Sequence, residues 1–447
     1  MTVRIPLQPL DQALFHLDQG PTPWSCHFEL RVPGRLDDAR VRAAARAAAN
    51  RQPIARARLA AHRRRDRRLY WEIPDQIDDV PVEVVDCDDD ADADRARSAL
   101  IGRRVDLTAG PPFALTLAHR PGGDSLIMNL SHVAGDGTSG VLLLASIAHA
   151  YRVGDSEQQS HQNHQVGDSE QQSHQNHQVG EVAALQAELA GRPRRTGKRD
   201  KRPRPTALVK VTGGRPGTIG SGFRQLRFDA AETAAITGRR ASGVTLNDVL
   251  LGSLAVAIRR FNDAAGADPA TVSLLMPIDL RQPGRAEQIV SNVFFSVPVA
   301  VLADEQSDLI DAQLAVAPRA ASIKAKRLGG ELLDIPAMIG RWPVGIVHVL
   351  ARVLLFLAAR VTAGADAAVV TNVGRVDAPL DFGPGAGSAT ELWITPPVQI
   401  PPGIGIGAST INGQLSLALR YGLAQFDAVG AQRFLDTWRD VLLGDAG

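Results

Sequence analysis

Ser131-His132-Val133-Ala134-Gly135-Asp136-Gly137 sets a histidine four residues before an aspartate that has a glycine on either side. A neutral imidazole can take a proton from a hydroxyl or an amine near neutral pH. It must be held at fixed geometry to do so. The preceding run, Ser125 to Leu130, reads as a buried strand that delivers His132 at its end. Gly135 and Gly137 let the backbone turn tightly and let a substrate approach. Gly137 also opens an apolar helix, so its N–H is a candidate donor to developing negative charge. A carboxylate in such a turn reads as the partner of an arginine, and Arg281 is the candidate for Asp136. On spacing alone the pattern is weak, and a structural histidine is the better reading.

Other chemistries fit less well. No Gly-x-Ser-x-Gly elbow occurs, and Ser131 is a poor nucleophile because neighbours in a strand point to opposite faces. Gly403-Ile404-Gly405-Ile406-Gly407-Ala408 matches a dinucleotide loop by letter, yet it follows Pro401-Pro402 and runs into a strand. Gly191 and Gly197-Lys198 stand one residue too far apart for a phosphate loop. Cys26 and Cys87 leave one bridge open between them but form neither a zinc spacing nor a disulfide framework. No metal is therefore expected at the site.

The elements that must position His132 divide between two lobes, the natural arrangement for 447 residues. Apolar residues at 44% and charged residues at 22% give a globular balance, and a net charge of +1 argues against a nucleic-acid partner. The expected boundaries are 1–152, a flexible and basic linker over 153–205, and 206–447. Strands are expected at Phe28–Val32, Ile54–Leu59, Leu69–Ile73, Phe113–His119 and Ser125–Leu130, with helices at Leu36–Asn50 and Thr138–Tyr151. Arg63-Arg64-Arg65-Asp66-Arg67-Arg68 reads as a solvated hairpin tip ahead of a phosphate site. In the second lobe Thr245 caps an apolar-faced helix. Strands follow at Val272–Ile278, Val293–Val301, Ala367–Asn372, Ile404–Ile411 and Gln414–Tyr421, and Phe426–Leu443 closes as a helix.

Between the lobes Val153–Gln165 is repeated identically as Val166–Gln178, with no hydrophobic face to offset its ordering entropy. Its His161, His164, His174 and His177 could chelate a metal only adventitiously. A short helix at Glu181–Leu189 precedes a basic linker over Gly191–Arg204. Val344 to Gly364 is strongly apolar but carries His348, Arg352 and Arg360 in one stripe. The favoured reading is a helix packed against the other lobe, and the alternative is one that lines an acyl tunnel or touches a lipid surface. The first residues contain no signal peptide, and with the scarce cysteines this places the chain in the cytoplasm.

The His132 stretch resembles the His-His-x-x-x-Asp-Gly signature of the condensation-domain and chloramphenicol-acetyltransferase-like acyltransferases, in particular the polyketide-associated and wax ester synthase branch. Further blocks carry the resemblance along almost the whole chain. They are Pro9-Leu10-Asp11, Val105-Asp106-Leu107 with Gly110-Pro111-Pro112, Thr245-Leu246-Asn247-Asp248-Val249, Met276 to Arg281, Ser291-Asn292-Val293 and Thr371-Asn372-Val373-Gly374-Arg375. Ser131 stands where the signature has its first histidine, which argues against an amide-forming synthetase module. The resemblance implies an α/β fold of two acetyltransferase-like lobes in a V, a pseudo-dimer with a central tunnel.

It implies a stand-alone acyltransferase. His132 is then the general base for direct attack on a thioester, and Asp136 is structural and paired with Arg281. Gly137, Asn292, Thr371 and Asn372 shape the site or contact the oxyanion. No tightly bound cofactor is implied. Acyl-CoA or an acyl-phosphopantetheine is the co-substrate, an alcohol or amine is the acceptor, and an acyl or peptidyl carrier protein is a candidate partner. Two other readings stand beside this one: a catalytically silent relative that docks a carrier protein, and an amide-forming condensation enzyme.

Overall fold

The computed structural model describes residues 2–154, 206–281, 289–325, 341–358, 365–398 and 403–444, with isolated positions 180, 184 and 188. The tandem repeat beyond Gly154, the basic linker and nearly all of the short helix expected at 181–189 lie outside these residues.

The chain begins β1 (Thr2–Pro6), α1 (Pro9–Asp18), β2 (Ser25–Arg31), α2 (Asp38–Arg51), β3 (Arg58–Leu59) and β4 (Tyr70–Pro74). It continues through β5 (Val82–Asp86), α3 (Asp90–Gly102), β6 (Phe113–His119), β7 (Ser125–Ser131) and α4 (Gly137–Val153). Next come β8 (Thr206–Ala207), β9 (Ser221–Phe228), α5 (Ala230–Gly238), α6 (Leu246–Ala264), β10 (Thr271–Asp279), β11 (Phe294–Val301) and α7 (Leu309–Ala325). The last group is α8 (Val344–Ala358), β12 (Ala368–Arg375), β13 (Glu391–Thr395), β14 (Ile404–Ile411), β15 (Gln414–Gly422) and α9 (Ala428–Leu443).

The fold is mixed α/β and rests on three sheets. A five-stranded sheet runs β13-β2-β7-β6-β5, and a seven-stranded one runs β11-β10-β12-β14-β15-β9 with β8 beside β10. A small sheet, β1-β4-β3, stands apart. β13 crosses from the C-terminal part of the chain to pair antiparallel with β2, Glu391 opposite Arg31 through Thr395 opposite His27. Period-two alternation in β2 sends Phe28 and Leu30 into a core with α2 and α4. His27, Glu29 and Arg31 face the other way. There Gln225 of β9 donates to Glu29 at 3.2 Å, and Arg420 of β15 donates to Ser25 O at 2.9 Å, tying the two large sheets together.

Two close approaches explain glycines that periodicity leaves unexplained. A Cβ at Gly140 would enter the ring of Phe28, so Gly140 lets α4 lie directly on β2. A Cβ at Gly407 would collide with the Ile394 carbonyl oxygen, so the 403–407 glycines serve strand packing.

Two expectations change. Ile54–Leu59 is not one strand. Pro53 starts a 3-10 turn at Ile54–Arg56, and Arg56 is buried with its guanidinium on Pro74 O and Asn50 O at 2.8 and 2.9 Å. Only Arg58–Leu59 pairs with β4. The closing helix begins at Ala428, capped by Asp427, and Phe426 stays in the core.

The 344–364 segment meets the 1–152 part of the chain, as favoured, but along one edge only. α8 buries Val344 and Val347 and sets His348 edge-on to His16 of α1, with ring centroids 6.1 Å apart. Ile346, Val349, Leu350, Val353, Leu354, Phe356 and Leu357 face outward. Residues 359–364, including Arg360, lie outside the described residues. No helix among the described residues is long and apolar enough to cross a membrane. Cys26 and Cys87 are both free and buried.

Candidate active site

β7 is buried along its whole length between β2 and β6, and the chain leaves it at Ser131. The His132 N–H donates to Trp24 O at 3.0 Å, and Ala134 N–H donates to Ser131 O at 3.0 Å, so the loop turns at once toward α4. Asp136 is the N-cap of α4 and accepts from Ser139 N–H at 2.9 Å.

That carboxylate is held on several sides. Arg281 donates to both of its oxygens, Nη1 to Oδ2 at 2.7 Å and Nη2 to Oδ1 at 3.0 Å. Val293 N–H donates to Oδ2 at 2.9 Å. Arg281 Nη2 also donates to Ser291 O at 2.6 Å, and the Ser291 N–H donates to Ser139 Oγ at 3.0 Å. Arg281 is thereby the clamp that joins Ser291–Val293 to the start of α4. Burial opposes ionisation of Asp136, but the Arg281 charge and these donors hold its carboxyl below the ordinary value. The same partnership raises Arg281 against its own burial.

His132 is 8% exposed. Its Nδ1 lies 3.0 Å from Gly135 O and 3.2 Å from Asn292 Oδ1. The Asn292 amide is oriented by its other end, since Nδ2 donates to Asp11 Oδ1 at 2.9 Å and to His132 O at 2.7 Å. Two acceptors at Nδ1 assign the proton there. Nε2 is then the basic nitrogen, and it makes no hydrogen bond among the described residues. Phe294 stacks on the imidazole with centroids 4.9 Å apart and planes inclined by 26°. Burial lowers the His132 pKa below its ordinary value, although the Asp136 charge, Asn292 and Gly135 pull upward. The ring is neutral at neutral pH.

The residues singled out in the sequence fall into two groups. His132, Asp136, Arg281 and Asn292 come together in one network. Gly137 opens α4 beneath β12, where a Cβ on it would meet Val373 Cγ1 at 3.3 Å and Thr371 Oγ1 at 4.0 Å. Thr371 therefore borders the start of α4. Asn372 points its amide elsewhere, with Oδ1 accepting from Gly374 N–H at 2.8 Å at the end of β12.

Asp11, Ser139 and Phe294 belong to the network without having been given a role, although Asp11 lies in one of the blocks that carry the resemblance. A signal existed for Asp11. With Leu14 and Phe15 it occupies one helical face, and a carboxylate on an apolar face needs a reason. It is fully buried, and burial pushes its carboxyl up to about 7. For Ser139 and Phe294 the spacing held no signal, because their partners are brought in by the tertiary fold.

Comparison with known proteins places this geometry. The Condensation domain family profile matches residues 5–272. The chain is 30% identical to the Mycobacterium tuberculosis "Uncharacterized protein Rv2305" over 455 aligned positions, 99% of this chain and 100% of that protein. Among solved structures it resembles the first condensation domain of the CDA synthetase, with a TM-score of 0.63 at 15% identity, covering 100% of this chain and 97% of that one. It also resembles the condensation domain of the Monacolin K polyketide synthase MokA, with a TM-score of 0.61 at 15% identity over 99% and 97% of the two chains. A third likeness is to a variant starter condensation domain of rhizomide synthetase RzmA in complex with C8-CoA. Its TM-score is 0.62 at 15% identity, over 98% and 95%. The chain belongs to the condensation-domain family, whose members transfer acyl or peptidyl groups.

Proposed function

We propose that this protein is a stand-alone acyltransferase that moves an acyl group from a CoA or carrier-protein thioester to an alcohol or amine. The observation that carries the reading is the pair of acceptors on His132 Nδ1, which leaves Nε2 as the base. Nε2 takes the proton of the acceptor O–H or N–H as that oxygen or nitrogen attacks the thioester carbonyl. The tetrahedral oxyanion collapses, the C–S bond breaks, and the departing thiolate recovers the proton from the imidazolium. The products are an ester or amide and a free thiol, with no acyl-enzyme on the way.

Asp136 and Arg281 act in this scheme by fixing the loop on which His132 sits. Gly137 and Thr371 border the same loop and are the nearest candidates for contact with the oxyanion. The base and its brace draw on both of the proposed lobes, His132 and Asp136 from 1–152, Arg281 and Asn292 from 206–447. The thioester is a co-substrate in this reading, not a resident cofactor, and the location we propose is the cytoplasm. The C8-CoA held by a structural relative makes medium-chain acyl-CoA the first donor to try.

The test is thiol release and product mass spectrometry with a panel of acyl-CoA donors and alcohol or amine acceptors. His132→Ala should lower turnover by about two to four decades while the melting curve stays close to wild type. Near wild-type turnover in that variant would sink the mechanism.

A further inference from the structure

The arginine-rich hairpin and the outward face of α8 have no part in the chemistry above, yet they are built as one unit. Val344 N–H donates to Asp66 O at 2.7 Å and Gly345 N–H to Arg64 O at 2.8 Å, so the first turn of α8 is bonded to the hairpin tip. Along α8 all but one of the described exposed side chains are apolar: Val349 is 62% exposed, Leu354 63% and Phe356 60%, with Ile346, Leu350 and Val353 beside them. Trp342, 55% exposed, stands just before the helix. A large apolar strip left in water marks an interaction surface.

The flank of that strip is cationic. Arg63, Arg64, Arg65, Arg67 and Arg68 are exposed, and among the described residues none of them forms an ion pair. Arg65, Arg67 and Arg68 line a hollow of about 680 Å³ together with Arg4, His62 and Arg341. Asp66 is the one carboxylate in that lining, and its Oδ2 accepts from the Arg63 N–H. Arg352 adds an exposed cation on α8 itself.

We propose that α8 and the 63–68 hairpin form a docking surface for an anionic lipid bilayer. α8 lies in the interface with its Leu, Val and Phe side chains among the acyl chains, Trp342 sits at headgroup level, and the arginines meet lipid phosphates. Charge complementarity selects this occupant. An acidic protein groove would match the arginines but offers no reason for an apolar strip of this extent, and a second copy of the chain would oppose arginine to arginine. α8 is not long and apolar enough to span a membrane, so the association is peripheral and reversible.

Vesicle flotation of the full chain tests this without requiring any turnover. Wild-type protein should float with vesicles of phosphatidylglycerol and phosphatidylcholine, stay down with phosphatidylcholine alone, and release in about 0.5 M salt. Arg65→Ser, Arg67→Ser and Arg68→Ser combined should weaken binding by roughly tenfold or more. Leu350→Gln with Leu354→Gln should abolish it, with circular dichroism and thiol release unchanged. Failure of the wild type to float overturns the proposal. So does equal flotation on both vesicle types, or flotation that survives the two glutamines. Light scattering separates the remaining case. A dimer that the glutamines convert to a monomer, with no flotation, assigns the strip to a second copy and rejects the membrane.

Discussion

The loop around His132 and the rim formed by α8 treat polar and apolar groups in opposite ways. At the loop, charge is buried and partnered: both oxygens of Asp136 receive donors, and the imidazole proton has two acceptors. At the rim, arginines stand in water beside exposed valines, leucines and a phenylalanine. A buried network costs desolvation that only good geometry recovers, so its value lies in holding one arrangement. An exposed apolar strip leaves favourable burial unused until something covers it. The first region spends stability on position. The second keeps unused burial for a partner.

The contrast breaks most visibly at Arg281. Arg281→Ala leaves a buried carboxylate without its cation and should destabilise the protein by about 3 to 5 kcal/mol, with loss of turnover. Denaturant unfolding measures the first effect and thiol release the second. A change in an exposed arginine such as Arg67→Ser should stay within about 0.5 kcal/mol. Similar unfolding midpoints for the two variants would remove the distinction drawn between loop and rim.

Asp11 gives the next effect, and its sign separates it from Asp136. The folded value of Asp11 is raised to about 7, against an ordinary 3.8. Its contribution to stability is therefore full below the ordinary value and is lost as pH rises toward 7. Asp136 is depressed, so its contribution is present above 3.8 and is lost as pH falls through its lower folded value. Asp11→Asn keeps an acceptor for Asn292 but removes the titration. Between about pH 5 and pH 7 the wild type should lose stability relative to this variant, on the order of 1 kcal/mol for each pH unit. A flat difference across that range would show that Asp11 does not carry the proton. The variant's acid limb of activity should remain that of His132, which burial places below the ordinary 6.5. An acid limb above that value would assign the base elsewhere.

How much of this was open to a reader of the sequence follows the same division. β2 and α2 announce themselves through their period, β6 and β7 through apolar runs around a turn, and α4 and α6 through the caps and apolar residues that open them. His132, Asp136 and Arg281 came into view through short blocks separated by long stretches of chain. Phe294 and Ser139 did not, since neither the stacking nor the clamp is local in sequence. Pro53 turned an expected strand into a 3-10 turn through its fixed φ. The α8 segment shows what periodicity leaves open. His348 meets α1 as a packed helix requires, yet leucines on the same helix face out. Hydrophobic patterning tells which residues prefer burial, and it cannot tell whether the chain itself does the burying.

The smallest expected effect sharpens that last point. Leu354 is 63% exposed, so Leu354→Gln removes little packing and should shift unfolding by less than about 0.5 kcal/mol. A leucine buried in the core with Phe28 and Leu30 behaves otherwise: Leu130→Ala, in β7, should cost about 2 to 5 kcal/mol. Thermal unfolding of the two variants in the absence of lipid makes the comparison directly. If Leu354→Gln destabilises as much as Leu130→Ala does, the outward face of α8 is covered within the folded chain itself. A near-silent Leu354→Gln means that the free protein holds this apolar surface open, so that its burial is available only to binding.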